Sequence, residues 1–241
     1  MRHSACNRDK RGTCMMSLAS LAFLLVLQVS EVQHPVPLPA DFDPAGCVDC
    51  HAAKKEGKQV HAAVETGCTS CHTVRSDDTA TFVALQAPPA EMCGTCHAPQ
   101  TDEVVHEPYR QGDCILCHDP HASEHPALVR TSPQALCTAC HLARRTEGAT
   151  VPLFGGREIP VETFRKFPKI ALDRAQRTGH PYLGHPVSNG EDPFRKGQPY
   201  SCLSCHAPHA APVAKLLREE WKSLDVCDRC HTEMRNRRAQ P

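Results

Sequence analysis

The chain has 241 residues, with 27 basic and 27 acidic side chains, 21 prolines and only 5% aromatic residues. Its mean hydropathy is −0.41, which leaves too little apolar surface to offset the conformational entropy of an ordinary domain of this length. Without residues 1–30 the balance is 23 basic to 26 acidic, a net of −3, and that argues against a nucleic-acid binder.

At the N-terminus, Arg2, Arg8, Lys10 and Arg11 precede a stretch from Leu18 to Val29 with no charged residue. This is the n-region and h-region of a secretory signal. The run is short for a membrane span, so a cleaved signal over residues 1–30 is expected. No small-x-small site stands near Gln28–Glu31, and a retained anchor that associates with the membrane is the alternative reading. Cys6 and Cys14 fall in this segment and are the only cysteines outside the motifs that follow.

From Cys47 onward, seven copies of Cys-x-x-Cys-His organise the chain. They are Cys47, Cys50 and His51; Cys68, Cys71 and His72; Cys93, Cys96 and His97; Cys114, Cys117 and His118; Cys137, Cys140 and His141; Cys202, Cys205 and His206; and Cys227, Cys230 and His231. Residues at i, i+3 and i+4 share one face of a helical turn. Two thiols there can hold a haem edge covalently while the imidazole reaches the iron as proximal ligand. Zinc sites and a disulfide framework also use such cysteine pairs. Neither needs a histidine directly after every second cysteine. The pattern therefore predicts seven covalently attached c-type haems. A chain so poor in apolar residues would wrap these plates, as mainly irregular coil with short α-helices and little or no β-sheet.

The intervals between first cysteines are 21, 25, 21, 23, 65 and 25 residues. Motifs after a small or polar lead-in (Cys68, Cys114, Cys202) alternate with motifs after an apolar residue (Cys93, Cys137, Cys227), which gives one leading site and three pairs. The expected organisation is an N-terminal multihaem region over 31–141 with five motifs, a motif-free insertion over 142–200, and a C-terminal paired-haem region over 201–241. The insertion reads as loop with one short helix around Lys169–Arg177, serving as a docking surface or as a wrap around haems. Val213, Leu216, Leu217, Trp221 and Leu224, a stripe broken by Glu220, predict a helix over 213–224.

The segments Cys114-Ile-Leu-Cys-His-Asp-Pro-His121 and Cys202-Leu-Ser-Cys-His-Ala-Pro-His209 resemble the doubled-CXXCH family of bacterial multihaem cytochromes c. The resemblance covers about residues 47–231. The pair at 68/93 departs from it, with Arg75 where the other pairs carry His. If an iron were open for catalysis, it would be expected there.

Eight histidines after residue 30 stand outside the motifs; His61, His106, His121, His125, His180, His185 and His209 are the seven candidate distal ligands, with His34 as a substitute. In related cytochromes, histidines so placed close the sixth position, often of a neighbouring haem. Methionine is a poor alternative, because only Met92 and Met234 follow the signal. Paired imidazoles imply lower potentials than Met/His ligation. The resemblance thus implies a non-catalytic carrier of anaerobic-type respiration. It would be exported to the periplasm, with the outer membrane or exterior as alternatives. Its partners would be other cytochromes, a quinol oxidase or a terminal reductase. The competing readings are a reductase of a nitrogen or sulfur oxyanion with one open iron, and a subunit of a haem filament or outer-membrane conduit.

Overall fold

The computed structural model describes residues 31–77, 79–170, 190–192, 195–220 and 224–238. The Leu18–Val29 run, His180, His185 and most of the helix expected at Lys169–Arg177 lie outside them. Among the described residues no helix is long and apolar enough to cross a membrane.

The chain is a succession of short turns threaded through the motifs. β1 (Val32–Gln33) leads to the first motif on α1 (Cys47–His51). β2 (Gln59–Val60) precedes the second motif, which opens on a 3₁₀ turn at Cys68–Ser70 and continues into the hairpin β3 (His72–Ser76) and β4 (Thr81–Leu85). α2 (Pro89–Gly94) carries Cys93; β5 (Val104–Val105) and α3 (Glu107–Arg110) lead to α4 (Cys114–Cys117), followed by β6 (Ala122–Ser123). α5 (Pro133–His141) holds the fifth motif; Ser132 caps it by accepting from the Ala135 N–H, and Pro133 suits its first turn. β7 (Thr150–Pro152), β8 (Glu158–Pro160) and α6 (Val161–Lys166) lie in the first described stretch of the insertion. β9 (Ala210–Ala211) follows the sixth motif, and α7 (Asp225–Asp228) and α8 (Thr232–Arg238) surround the seventh.

Strand pairing is more extensive than the expected little or no sheet. β1, β4 and β3 form one antiparallel sheet, and β2–β6, β5–β9 and β7–β8 form three antiparallel pairs. The β3–β4 hairpin has a local cause. The Asp77 carboxylate accepts from the N–H groups of Thr79 and Ala80 and closes the turn, and Thr73, Val74, Thr81 and Val83 are β-branched residues that suit the pleat.

The expected helix over 213–224 does not form in its described part. Ala214–Leu216 is a single turn in which Lys215 (φ 63°) and Leu216 (φ 57°) are left-handed, and Leu217 bridges back to Val213 and His206. The apolar spacing that mimics a helix belongs to a tight reversal. Among the described residues the buried apolar cluster is small: Val151, Val161 and Phe164, with Ile159 and Phe167 against them. It sits in the insertion; in the described motif-bearing regions Ala80, Ala210, Ala211 and Leu217 are the buried apolar residues, and backbone pairing and side-chain bonds such as Arg130 to Asp119 join the segments.

Candidate functional site

Five motifs begin on α-helical turns, and those at Cys68 and Cys202 begin on 3₁₀ turns. All fourteen motif cysteines are free thiols. Among the described residues no three His, Cys, Asp or Glu side chains converge as a zinc site requires. The thiol pairs thus lie open for covalent attachment. Consecutive motifs also meet end to end. Cys47 is beside Cys68, Cys93 beside both Cys71 and Cys114, Cys117 beside Cys140, Cys137 beside Cys202, and Cys205 beside Cys230, each pair close enough to perturb thiol ionisation. The Cys137–Cys202 contact joins the two motifs on either side of the insertion, so the row of motifs is not interrupted there.

Five motif imidazoles face an imidazole from outside the motifs. Ring centroids are 5.8 Å apart for His51 and His34, 6.1 Å for His72 and His121, 6.0 Å for His97 and His61, 5.9 Å for His118 and His209, and 6.1 Å for His141 and His106. Their interplanar angles range from 7° for His72/His121 to 73° for His51/His34. Tyr109 stacks on His209 at 4.6 Å and steadies it.

The outer ring nitrogens are held by acceptors. His61 Nδ1 donates to the Pro120 carbonyl (3.0 Å), His106 to Pro208 (3.0 Å), His118 to Ala127 (2.7 Å), His141 to Pro168 (2.9 Å) and His206 to Lys215 (2.9 Å). A carbonyl can only accept, so Nδ1 carries the proton and Nε2 keeps a free lone pair, the tautomer of a metal ligand. Burial, reinforced in part by neighbouring cations, lowers the pKa values of His72, His106, His121, His206 and His209. Neutral imidazole is the form that can ligate.

The geometry comes from a repeated backbone module. A two-residue strand followed directly by histidine pairs with a strand that follows a later motif. The His61 N–H donates to the His121 carbonyl and the His106 N–H to the His209 carbonyl, both at 2.8 Å. His34 likewise donates to Thr81 at 2.8 Å. Each receiving motif then closes on itself. Arg130 donates its N–H to Cys117 O and its Nε to Ile115 O; Arg218 does the same to Cys205 and Leu203, and Gln86 to Cys71 and Thr69. Ala127 and Leu128 in one copy, and Lys215 and Leu216 in the next, adopt left-handed φ to make the turn.

This module accounts for Arg75. It occupies the place of His121 and His209, yet those histidines face His72 and His118, each in the preceding module. Arg75 belongs to the first module, which has no predecessor among the described residues, and it lies over the Phe82 ring and pairs with Glu31. The pair at 68/93 does not lack facing histidines: His72 meets His121 and His97 meets His61. His34, held as a substitute, takes a place opposite His51, and the strand-then-histidine pattern shared with His61 and His106 is the signal for it. His125 takes the place of Val213 in the next module and makes no ring contact with a motif histidine among the described residues. The carbonyl clamps, Tyr109 and the arginine-or-glutamine closure carry no motif signature.

The family model of the doubled CXXCH motif matches residues 61–102, 106–146 and 192–236, together more than half of the chain and the same three pairs. The chain is similar to the high-molecular-weight cytochrome c of Nitratidesulfovibrio vulgaris, 24% identical over 95% of this chain and 45% of that protein. It is also similar to the multiheme cytochrome MtrA of Shewanella baltica, 28% identical over 81% of this chain and 55% of that protein. The chain spans about half the length of these curated relatives. No solved structure matches it. The free thiol pairs, the neutral imidazoles and this kinship agree on covalently bound c-type haem, and the chain belongs to the doubled CXXCH motif family of multihaem cytochromes c.

Proposed function

We propose that the chain is a seven-haem electron carrier with predominantly bis-histidine ligation and no catalytic iron. One observation carries this reading: five motif imidazoles face a second imidazole at 5.8–6.1 Å. A metal binds an imidazole nitrogen at about 2 Å, and the ring centroid lies about 1 Å further on, so two imidazoles on one ion have centroids about 6 Å apart. For His206 and His231, the remaining candidates are His125, His180 and His185.

Haem supplies reversible one-electron chemistry. The protein's own task is to hold, orient and insulate it. Motifs that meet in sequence order favour transfer along a row. Facing histidines at the 68/93 pair weigh against an open iron there, and hence against the reductase reading. Two imidazoles per iron keep potentials low, which suits anaerobic-type respiration. The partners would be other cytochromes, a quinol-oxidising enzyme or a terminal reductase, outside the cytoplasm and most simply in the periplasm. Because the relatives are about twice as long, a place within a larger haem assembly is part of the same proposal.

Native mass spectrometry and EPR of the ferric holoprotein test this. Seven haems, all low-spin, are expected. A high-spin ferric centre that binds nitrite or sulfite would replace the carrier with the enzyme.

A further inference from the structure

The fifth motif is held in a way that sets it apart from the other motifs. The segment Pro168–Lys169–Ile170, which ends the first described stretch of the insertion, lies along it. His141 Nδ1 donates to the Pro168 carbonyl at 2.9 Å, the Ile170 N–H donates to the His141 carbonyl at 2.6 Å, and the Ala143 N–H donates to the Ile170 carbonyl at 3.1 Å. Between these bonds the Lys169 ammonium donates to the carbonyls of Cys140 (2.6 Å) and Phe164 (2.5 Å), and it sits 3.5 Å over the Phe164 ring. Arg144 donates to the Ala139 carbonyl at 3.1 Å, with its guanidinium 5.2 Å from the same ring. Two cations are thereby fixed on consecutive carbonyls of the motif. Among the described residues neither makes an ion pair.

The side chains that donate to motif carbonyls in the second, fourth and sixth motifs, each to the residue after the first cysteine, are neutral or stand beside a carboxylate. At the second motif the side chain on the backbone carbonyl is neutral Gln86. At the fourth it is Arg130, balanced by Asp119 at 3.0 Å. At the sixth it is Arg218, with Arg195 and Arg229 near it and the Asp192 carboxylate against them. The Phe164 ring is fully buried in the insertion's apolar cluster, so the half-buried Lys169 is weakly screened on that side, whereas Arg144 is exposed.

We propose that Lys169, assisted by Arg144, is a tuning residue that raises the reduction potential of the haem held by Cys137, Cys140 and His141. This rests on the reading of that motif as a bis-histidine haem site. When the ferric ion gains one electron from a donor, the site loses one positive charge, and a fixed cation nearby favours the reduced form. The Pro168 carbonyl acts in the opposite sense, because it enriches the imidazole it accepts from. That bond recurs at His118 and His206, and a charged group outweighs a neutral hydrogen bond. The described stretch 142–170 then has a defined role: it packs around Phe164 and presses a cation onto one site of the row.

The test is a spectroelectrochemical titration of the holoprotein and its variants against an electrode. In Lys169→Met, which keeps the stem over Phe164, one component of the titration moves to more negative potential and the others stay. Arg144→Met moves the same component by less, and Lys169→Arg leaves it in place. The component is identified as the one lost from the low-spin set in His106→Ala, since His106 faces His141. If no component moves, or if all move together, the assignment is overturned. Haem content by mass and the low-spin spectrum are recorded separately. A wild-type protein without seven low-spin haems would sink the underlying reading instead. Should Lys169→Met fail to load haem, Arg144→Met, at an exposed position, decides.

Discussion

Replacing His121 by alanine separates two wiring schemes. His121 stands three residues after His118, and on sequence proximity it would serve the Cys114/Cys117 site. The structure places its ring 6.1 Å from His72, with only 7° between the planes. His118 instead faces His209 at 5.9 Å and 48°. His121→Ala should therefore open the Cys68/Cys71 site. About one seventh of the ferric signal should pass from low-spin to high-spin, a fraction set by the seven motifs. The fold should survive. The carbonyl that pairs with the His61 N–H is backbone and remains, and the side chain's other contact is a 3.4 Å approach to Asp119, so a cost of about 1 kcal/mol is expected. EPR can tell which site is lost. Two imidazoles in parallel planes donate into the same iron d orbital and split the pair strongly, which gives a rhombic signal. Planes nearer perpendicular load both orbitals alike and give a more axial one. The component lost should be the most rhombic. If the rhombic component survives and an intermediate one vanishes, His121 serves its own module and the interleaved scheme is wrong.

Arg75→His should add no axial ligand, because its module has no described predecessor to face. The EPR spectrum should stay unchanged, and loss of the exposed Glu31 pair should cost about 0.5 kcal/mol, read as a small shift in thermal midpoint. Arg130→Ala removes the bonds to Ile115 O (2.9 Å) and Asp119 (3.0 Å) at a side chain only 19% exposed, with an expected loss of about 2–3 kcal/mol in denaturant melts. Arg130→Gln should recover part of it, since Gln86 makes the same closure to Thr69. For Asp119, burial works to raise the pKa, but the His121 N–H and the Arg130 guanidinium outweigh it and the net shift is downward. A depressed carboxylate contributes fully above the ordinary value of 3.8 and loses that contribution as pH falls through the lower folded value. Melts over that acid range should show the loss in wild type and not in Asp119→Asn.

The attachment chemistry was legible because it is local: Cys, Cys and His on one turn need only five residues to declare themselves. Paired spacing was also legible, and the same three pairs emerge from the family match. The partner of each imidazole was not. His61 and His106 precede Cys68 and Cys114, yet they face His97 and His141, because backbone pairing with a later module decides where they lie. Strands of two residues leave no alternating pattern to read. The expected helix over 213–224 failed for a related reason. Val213, Leu216 and Leu217 look helical alone, but alignment with His125–Arg130, where Pro126 precedes the left-handed Ala127, exposes a turn.

These offsets have a consequence for folding. In all five pairs the facing histidine lies on a segment separate from the motif it meets: His34 for Cys47–His51, His121 for Cys68–His72, His209 for Cys114–His118, His61 for Cys93–His97 and His106 for Cys137–His141. The Cys68 and Cys114 sites each take a histidine from the following module, and the His61 and His106 segments that serve Cys93 and Cys137 are strand-paired to the following module, so with so small a buried apolar cluster among the described residues the strand pairs and the bound groups must stabilise one another in series, as in other repeat architectures. Damage to one linking strand is therefore expected to loosen two sites. β5 connects the His106 segment to β9 beside His209, and so serves both the Cys137 and the Cys114 sites. The Val105→Pro substitution, which interrupts that strand, should leave both sites in question, and two high-spin centres in the ferric spectrum, where an isolated ligand loss gives one, is the signature of serial dependence.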